Sequence, residues 1–126
     1  MLTIYETNLI KEKLLSDELL LLELKQSQLR FKIAPTLFAI TTKRVIIMRR
    51  TPLDLKNIID YIPFKDISSV MSKNGYLMSS LILRIFGASE ETDKDGIIDG
   101  LNKDEALTAE RIINEKILEK DNPQTN

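Results

Sequence analysis

Ile10 and Leu14 stand four apart with Leu15 beside them, while Glu6, Lys11, Glu12 and Lys13 are polar. That spacing predicts an amphipathic helix over residues 4 to about 16. Its stripe is wide enough to dock onto something, but the segment is too short to be a stable helix alone. The period then changes. Leu20, Leu22 and Leu24 alternate with Leu21, Glu23 and Lys25, which predicts a strand with one buried face within residues 19–31. Leucine discriminates poorly between strand and helix, so a helix is the alternative there. Pro35 marks a turn. Residues 37–41 and 44–50 carry the clearest strand pattern, with Phe38, Ile40, Val45, Ile46 and Ile47 as strand formers and Thr42-Lys43 at the turn. Val45 and Ile47 point one way, Ile46 and Met48 the other. Apolar residues on both faces predict that both faces are covered.

Pro52 and the polar stretch to Asn57 interrupt this pattern. Further strands are expected at residues 58–64, 68–72, 80–86 and 96–101, with Asn74-Gly75 as a strong turn pair. Asn102 has the position of a helix cap, Glu105 completes a capping box, and Leu101 with Ala106 forms the hydrophobic staple. Ala106, Ala109, Ile113 and Ile117 share one stripe, with Ile112 beside it, which predicts a helix to about Glu119. The residues from Asp121 onward include nothing apolar and are expected to fray. The result is a helix, seven short strands and a second helix. Seven short antiparallel strands must close or stack to hide their edges, and an amphipathic terminal helix can plug an open end.

The 126 residues fit one domain, with 43% apolar and 29% charged residues, the range of ordinary globular chains. A net charge of −1 gives no basic field for nucleic acid, so no nucleic-acid partner is expected. There is no cysteine and no histidine. This excludes Cys/His zinc sites, disulfides, thiolate nucleophiles and Ser-His-Asp triads. No spacing of the remaining groups suggests catalysis, and no cofactor motif is present, so a non-catalytic chain without cofactor is expected. The first residues lack the basic start and apolar run of a signal peptide. Leu19 to Leu22 fall far short of the roughly 20 apolar residues a membrane helix needs. A cytoplasmic location is the expectation.

Thr41-Thr-Lys-Arg-Val-Ile-Ile resembles the "T-x-x-R-hydrophobic-hydrophobic" strand pair of prokaryotic pleckstrin-homology (PH)-like proteins. Ile62-Pro-Phe-Lys-Asp-Ile-Ser-Ser-Val resembles their "I-P-Y-x-D-I-x-S-V" segment, with Phe64 where Tyr is more usual. Gly100-Leu-Asn-Lys-Asp-Glu-Ala resembles the start of their closing helix. The order and spacing of the three carry the resemblance across residues 16–119. It implies a mainly β (α+β) fold: a PH-like seven-stranded barrel of two near-orthogonal antiparallel sheets capped by the C-terminal helix. Residues 1–17 would be a helical extension, 18–120 the PH-like domain and 121–126 a disordered tail. No single activity is implied, since members bind phosphoinositides, peptides or proteins, or self-assemble. Within the motifs, Arg44 is expected to satisfy backbone carbonyls or a carboxylate, and Asp66 to cap a turn.

Three candidate sites follow. A basic patch would gather Lys32, Arg49, Arg50 and Lys56 at what the PH fold makes the open end of the barrel. Such groups suit anionic lipid head groups or phosphate; the competing reading is a solvated basic edge. Residues 91–102 resemble a calcium loop, with Gly96 at the sharp turn and Ile98 at the apolar position. Asn102, however, replaces the bidentate Glu, and a strand precedes the loop, so an acidic hairpin loop is expected and no metal. Finally Leu19, Leu21, Ile46 and Met48 point away from the likely core face. They must be covered by the N-terminal helix or by another protein, including a second copy of the chain. The function expected is a protein-binding or homo-oligomerising module, with an anionic-lipid or phosphate adaptor as the alternative.

Overall fold

The computed structural model describes residues 2–26, 35–50, 57–86 and 96–120. The chain forms two compact units that divide between Ile62 and Pro63.

The first unit begins with helix α1, Ile4–Lys11. Thr3 caps it: the Thr3 hydroxyl accepts the Glu6 N–H and the Glu6 carboxylate accepts the Thr3 N–H, a reciprocal box that satisfies two otherwise orphaned donors. Four strands follow, β1 (Leu20–Lys25), β2 (Leu37–Thr41), β3 (Arg44–Arg50) and β4 (Asn57–Pro63), forming one sheet in the order β1-β2-β3-β4. The β2–β3 hairpin turns at Thr42-Lys43 as its sequence predicts, and Thr41 helps close it. The Thr41 hydroxyl accepts the N–H groups of Lys43 and Arg44, each at 3.1 Å.

In the second unit a 3-10 turn, Phe64–Asp66, leads into β5 (Ile67–Asn74), β6 (Ser79–Ile85) and β7 (Ile97–Leu101), an antiparallel sheet in that order. β7 spends one residue more than β6 between the pairs Leu81↔Ile98 and Ser79↔Leu101, and Gly100, at φ 72°, supplies the left-handed backbone that such a bulge favours. Helix α2, Lys103–Lys120, lies against β5, β6 and the 3-10 turn. The predicted stripe of Ala106, Ala109, Ile113 and Ile117 is buried along its full length. Asn102 caps the helix, its side-chain oxygen accepting from Asp104 and Glu105.

Two expectations needed correction. α1 stops at Lys11 rather than near residue 16. Beyond it the Lys13 and Leu14 N–H groups donate three residues back, to Ile10 and Lys11, which tightens the chain into a turn; the Lys13 carbonyl accepts from Arg44 and the Leu15 N–H donates to Glu18. The three alternating leucines of β1 also do not share a face. A bulge between the pairs Leu20↔Thr41 and Leu22↔Ile40 shifts the register, so Leu20 joins the face of Leu37 and Ala39 while Leu22 and Leu24 take the face of Phe38 and Ile40. The expected strand ran on to residue 31, but residues 27–31 lie outside the described residues.

Candidate interaction site

One face of the four-stranded sheet is built by alternation along its strands. Leu37, Ala39 and Thr41 from β2 point to it, with Arg44, Ile46, Met48 and Arg50 from β3 and Leu20, Glu23 and Lys25 from β1. Helix α1 covers this face. Ile10 is 1% exposed in a cluster with Leu37, Ala39, Ile46 and Met48, and Leu2, Leu9, Leu14, Leu20 and Ile59 surround them.

A charged clamp closes each end of this apolar seam. At one end Glu6 accepts from Lys25 at 3.0 Å and from Arg50 at 2.9 Å. Burial pushes the Glu6 carboxyl up, yet the Thr3 N–H, Lys25 and Arg50 together hold it below the ordinary glutamate value. Beside it Thr7 donates to Glu23 Oε1 at 2.8 Å, and the buried Glu23 Oε2 finds no donor among the described residues.

At the other end Glu18 takes both Arg44 nitrogens, Nε at 2.9 Å and Nη2 at 3.0 Å, and the Thr41 hydroxyl at 2.5 Å. Its carboxyl is likewise pushed up by burial but held low by Thr41, the Leu15 N–H and Arg44. Arg44 also donates to the Lys13 carbonyl and lies over the Tyr61 ring, 4.4 Å from its centre. Lys43 pairs with Asp17 further out.

This geometry answers several expectations. Arg44 does bind a carboxylate and a carbonyl. Ile46 and Met48 are each 1% exposed under α1 of the same chain and offer nothing to a partner in this state. Leu19 and Leu21 remain exposed, at 67% and 42%. Of the expected basic patch, Arg49 and Arg50 are described. Arg49 and Arg50 are neighbours on a strand and point to opposite faces; Arg49 meets Asp60 at 2.6 Å and Arg50 meets the buried Glu6. The Arg50 side chain is 9% exposed, because α1 lies over it. Lys32 and Lys56 lie outside the described residues.

Of the calcium-like loop, residues 91–95 also lie outside. The rest is engaged locally. A Cβ at Gly96 would run into the Leu83 carbonyl, Asp99 accepts from Ser80, and Asn102 caps α2. Among the described residues no three Asp or Glu side chains gather as a metal site, and no helix is long and apolar enough to cross a membrane.

Glu6, Glu18 and Glu23 are not among the candidate site residues of the sequence, in which Glu6 is only one of the polar positions of the first helix. One signal was available: Thr3-x-x-Glu6 is a capping box. The other two depend on partners distant in sequence.

A family model described as Bacterial PH domain matches residues 14–115. Among solved structures, a pleckstrin homology domain from Shewanella amazonensis SB2B superimposes with a TM-score of 0.58 at 20% identity, covering 91% of this chain and 97% of its own. A DUF1696 family protein with a pleckstrin-homology domain from Shewanella loihica PV-4 gives 0.60 at 17% identity, covering 93% and 99%. No curated protein matches the chain.

Proposed function

Because the chain belongs to the bacterial PH domain family, whose fold generally serves as a binding platform, we propose that it is a non-catalytic module for protein–protein contact, its own copies included. The observation that carries this reading is the exposure of Leu19 and Leu21 at β1, the end strand of its sheet. Leu15 is exposed just before them. An edge strand beside uncovered leucines is a surface that pairs with another chain unless something blunts it.

The adaptor alternative draws less support. Arg49 and Arg50 already hold carboxylates, and turning Arg50 to a phosphate would leave the buried Glu6 with only Lys25 and the Thr3 N–H among the described residues.

Sedimentation velocity over a wide concentration range tests the assembly reading. The wild-type chain is expected to self-associate, and the pair Leu19→Asp with Leu21→Asp to remain monomeric while melting normally. A wild-type chain that is monomeric throughout would remove the self-assembly reading. Flotation with anionic liposomes tests the alternative: salt-sensitive binding lost in Arg49→Glu would restore it.

A further inference from the structure

We infer that α1 is a displaceable resident of a helix-binding groove. The groove's intended occupant is a short amphipathic helix of a partner protein, with an acid at the position of Glu6, a cationic or amide donor at that of Thr7 and an aliphatic residue at that of Ile10. This rests on the protein-binding reading above and gives that reading a site and a partner chemistry.

The groove has three recognition elements, each met by one residue of α1. Leu37, Ala39, Ile46 and Met48 form an apolar floor into which Ile10 inserts. Lys25 and Arg50 form a cationic pair that holds the Glu6 carboxylate. Glu23 is the third element, and here the resident fits incompletely. Thr7 has one hydroxyl proton, and it goes to Glu23 Oε1. The second carboxylate oxygen is buried and lacks a donor among the described residues.

A buried acceptor left unmade costs free energy, more so when it carries charge. The groove therefore asks for a donor with greater reach than threonine. Lysine, arginine, asparagine or glutamine at that position supplies one, and the first two also supply the opposite charge.

The resident is also built to leave. α1 has eight residues, below the length at which an isolated helix is stable, so its helical state depends on the groove. Ile4 and Tyr5, at 82% and 58% exposed, turn outward and contribute nothing to the seam. A partner helix with the same acid and aliphatic residue, and a better donor between them, competes for the same floor and the same cations. Helix-in-groove recognition of this kind uses anchors spaced three and four apart.

Two labelled peptides test the proposal: residues 2–16 as they stand, and the same peptide carrying Thr7→Arg. Each is titrated by fluorescence anisotropy into the full chain and into a full chain whose resident helix is loosened by Ile10→Ala. The Thr7→Arg peptide is expected to bind the loosened chain about tenfold tighter than the unaltered peptide, the scale of one charge-assisted hydrogen bond. Glu23→Gln in the loosened chain should erase that preference. Equal binding, or no binding by a loosened chain that still melts cooperatively, overturns the proposal. Tighter binding by the unaltered peptide also overturns it, in favour of exchange of α1 between copies.

Thr7→Arg in the otherwise native chain covers the case in which the loosened chain fails to fold. It should raise the melting temperature by several degrees, and no change or a fall counts against the proposal. Self-association through Leu19 and Leu21 is read separately by sedimentation, so either idea can fail while the other stands.

Discussion

Thr41 and Arg44 belong to the T-x-x-R segment, and the structure gives each a physical task. Thr41 accepts two backbone N–H groups that tighten the hairpin and donates a hydrogen bond from its hydroxyl to Glu18. Arg44 forks onto the same carboxylate and reaches the Lys13 carbonyl. The Glu18 side chain is fully buried and Arg44 is 17% exposed, so removing one partner leaves an uncompensated charge. Glu18→Met and Arg44→Met should each cost about 3 kcal/mol, whereas making both changes together should cost less than either single change. Urea denaturation of the two singles and the double gives the coupling directly.

The same carboxylates set an acid limb. Glu6 and Glu18 are both held below the ordinary value of 4.5 in the folded chain. Their contribution is therefore complete above about pH 4.5 and is lost as pH falls through the lower folded values. Thermal melts should be level around neutrality and drop in acid, and Glu6→Gln with Glu18→Gln should flatten the drop while lowering the neutral plateau. An acid limb of unchanged depth in that double variant contradicts this assignment.

At the scale of elements, the two helices contrast. The apolar period around α1 continues to Leu14, and Leu14 does pack on the seam, yet the helix ends at Lys11. Past Lys11 the chain tightens into a turn, and side chains of Arg44 in β3 and Glu18 before β1 take the Lys13 carbonyl and the Leu15 N–H, which a continued helix would have used. Helix α2 shows no such conflict. Its cap and stripe agree, and each residue of the stripe is buried as the spacing requires. Ile113 is 0% exposed, so Ile113→Ala should cost about 2–5 kcal/mol including the cavity it leaves. Against a typical total of about 5–15 kcal/mol, truncation after Asn102 should abolish the cooperative melt. An undiminished melt of the truncated chain would mean that α2 is an appendage and not part of its sheet's core.

For the molecule as a whole, the acidic segment before α2 is where metal dependence would enter. Asp99 and Asn102 each hold a hydrogen bond that a bound calcium would have to displace. Melting curves in chelator and in millimolar calcium should superimpose; a rise of several degrees with calcium would reveal a site.

The same molecule shows what was legible in the residues. Seven strands, the Thr42-Lys43 turn, the opposed faces of Val45 and Ile46, and the whole of α2 follow from period, turn chemistry and caps, which act between residues at most four apart. What the tertiary structure decided acts over longer separations. The bulge in β1 placed Leu20 on the face opposite Leu22. Folding also matched Glu6 with Arg50, 44 residues away, and Glu18 with Arg44, 26 away. A buried carboxylate must find its cation through space, and no local period records which one it meets. The same holds for Arg49 and Arg50: the chain displays its cations, but only folding shows the carboxylates that these two hold.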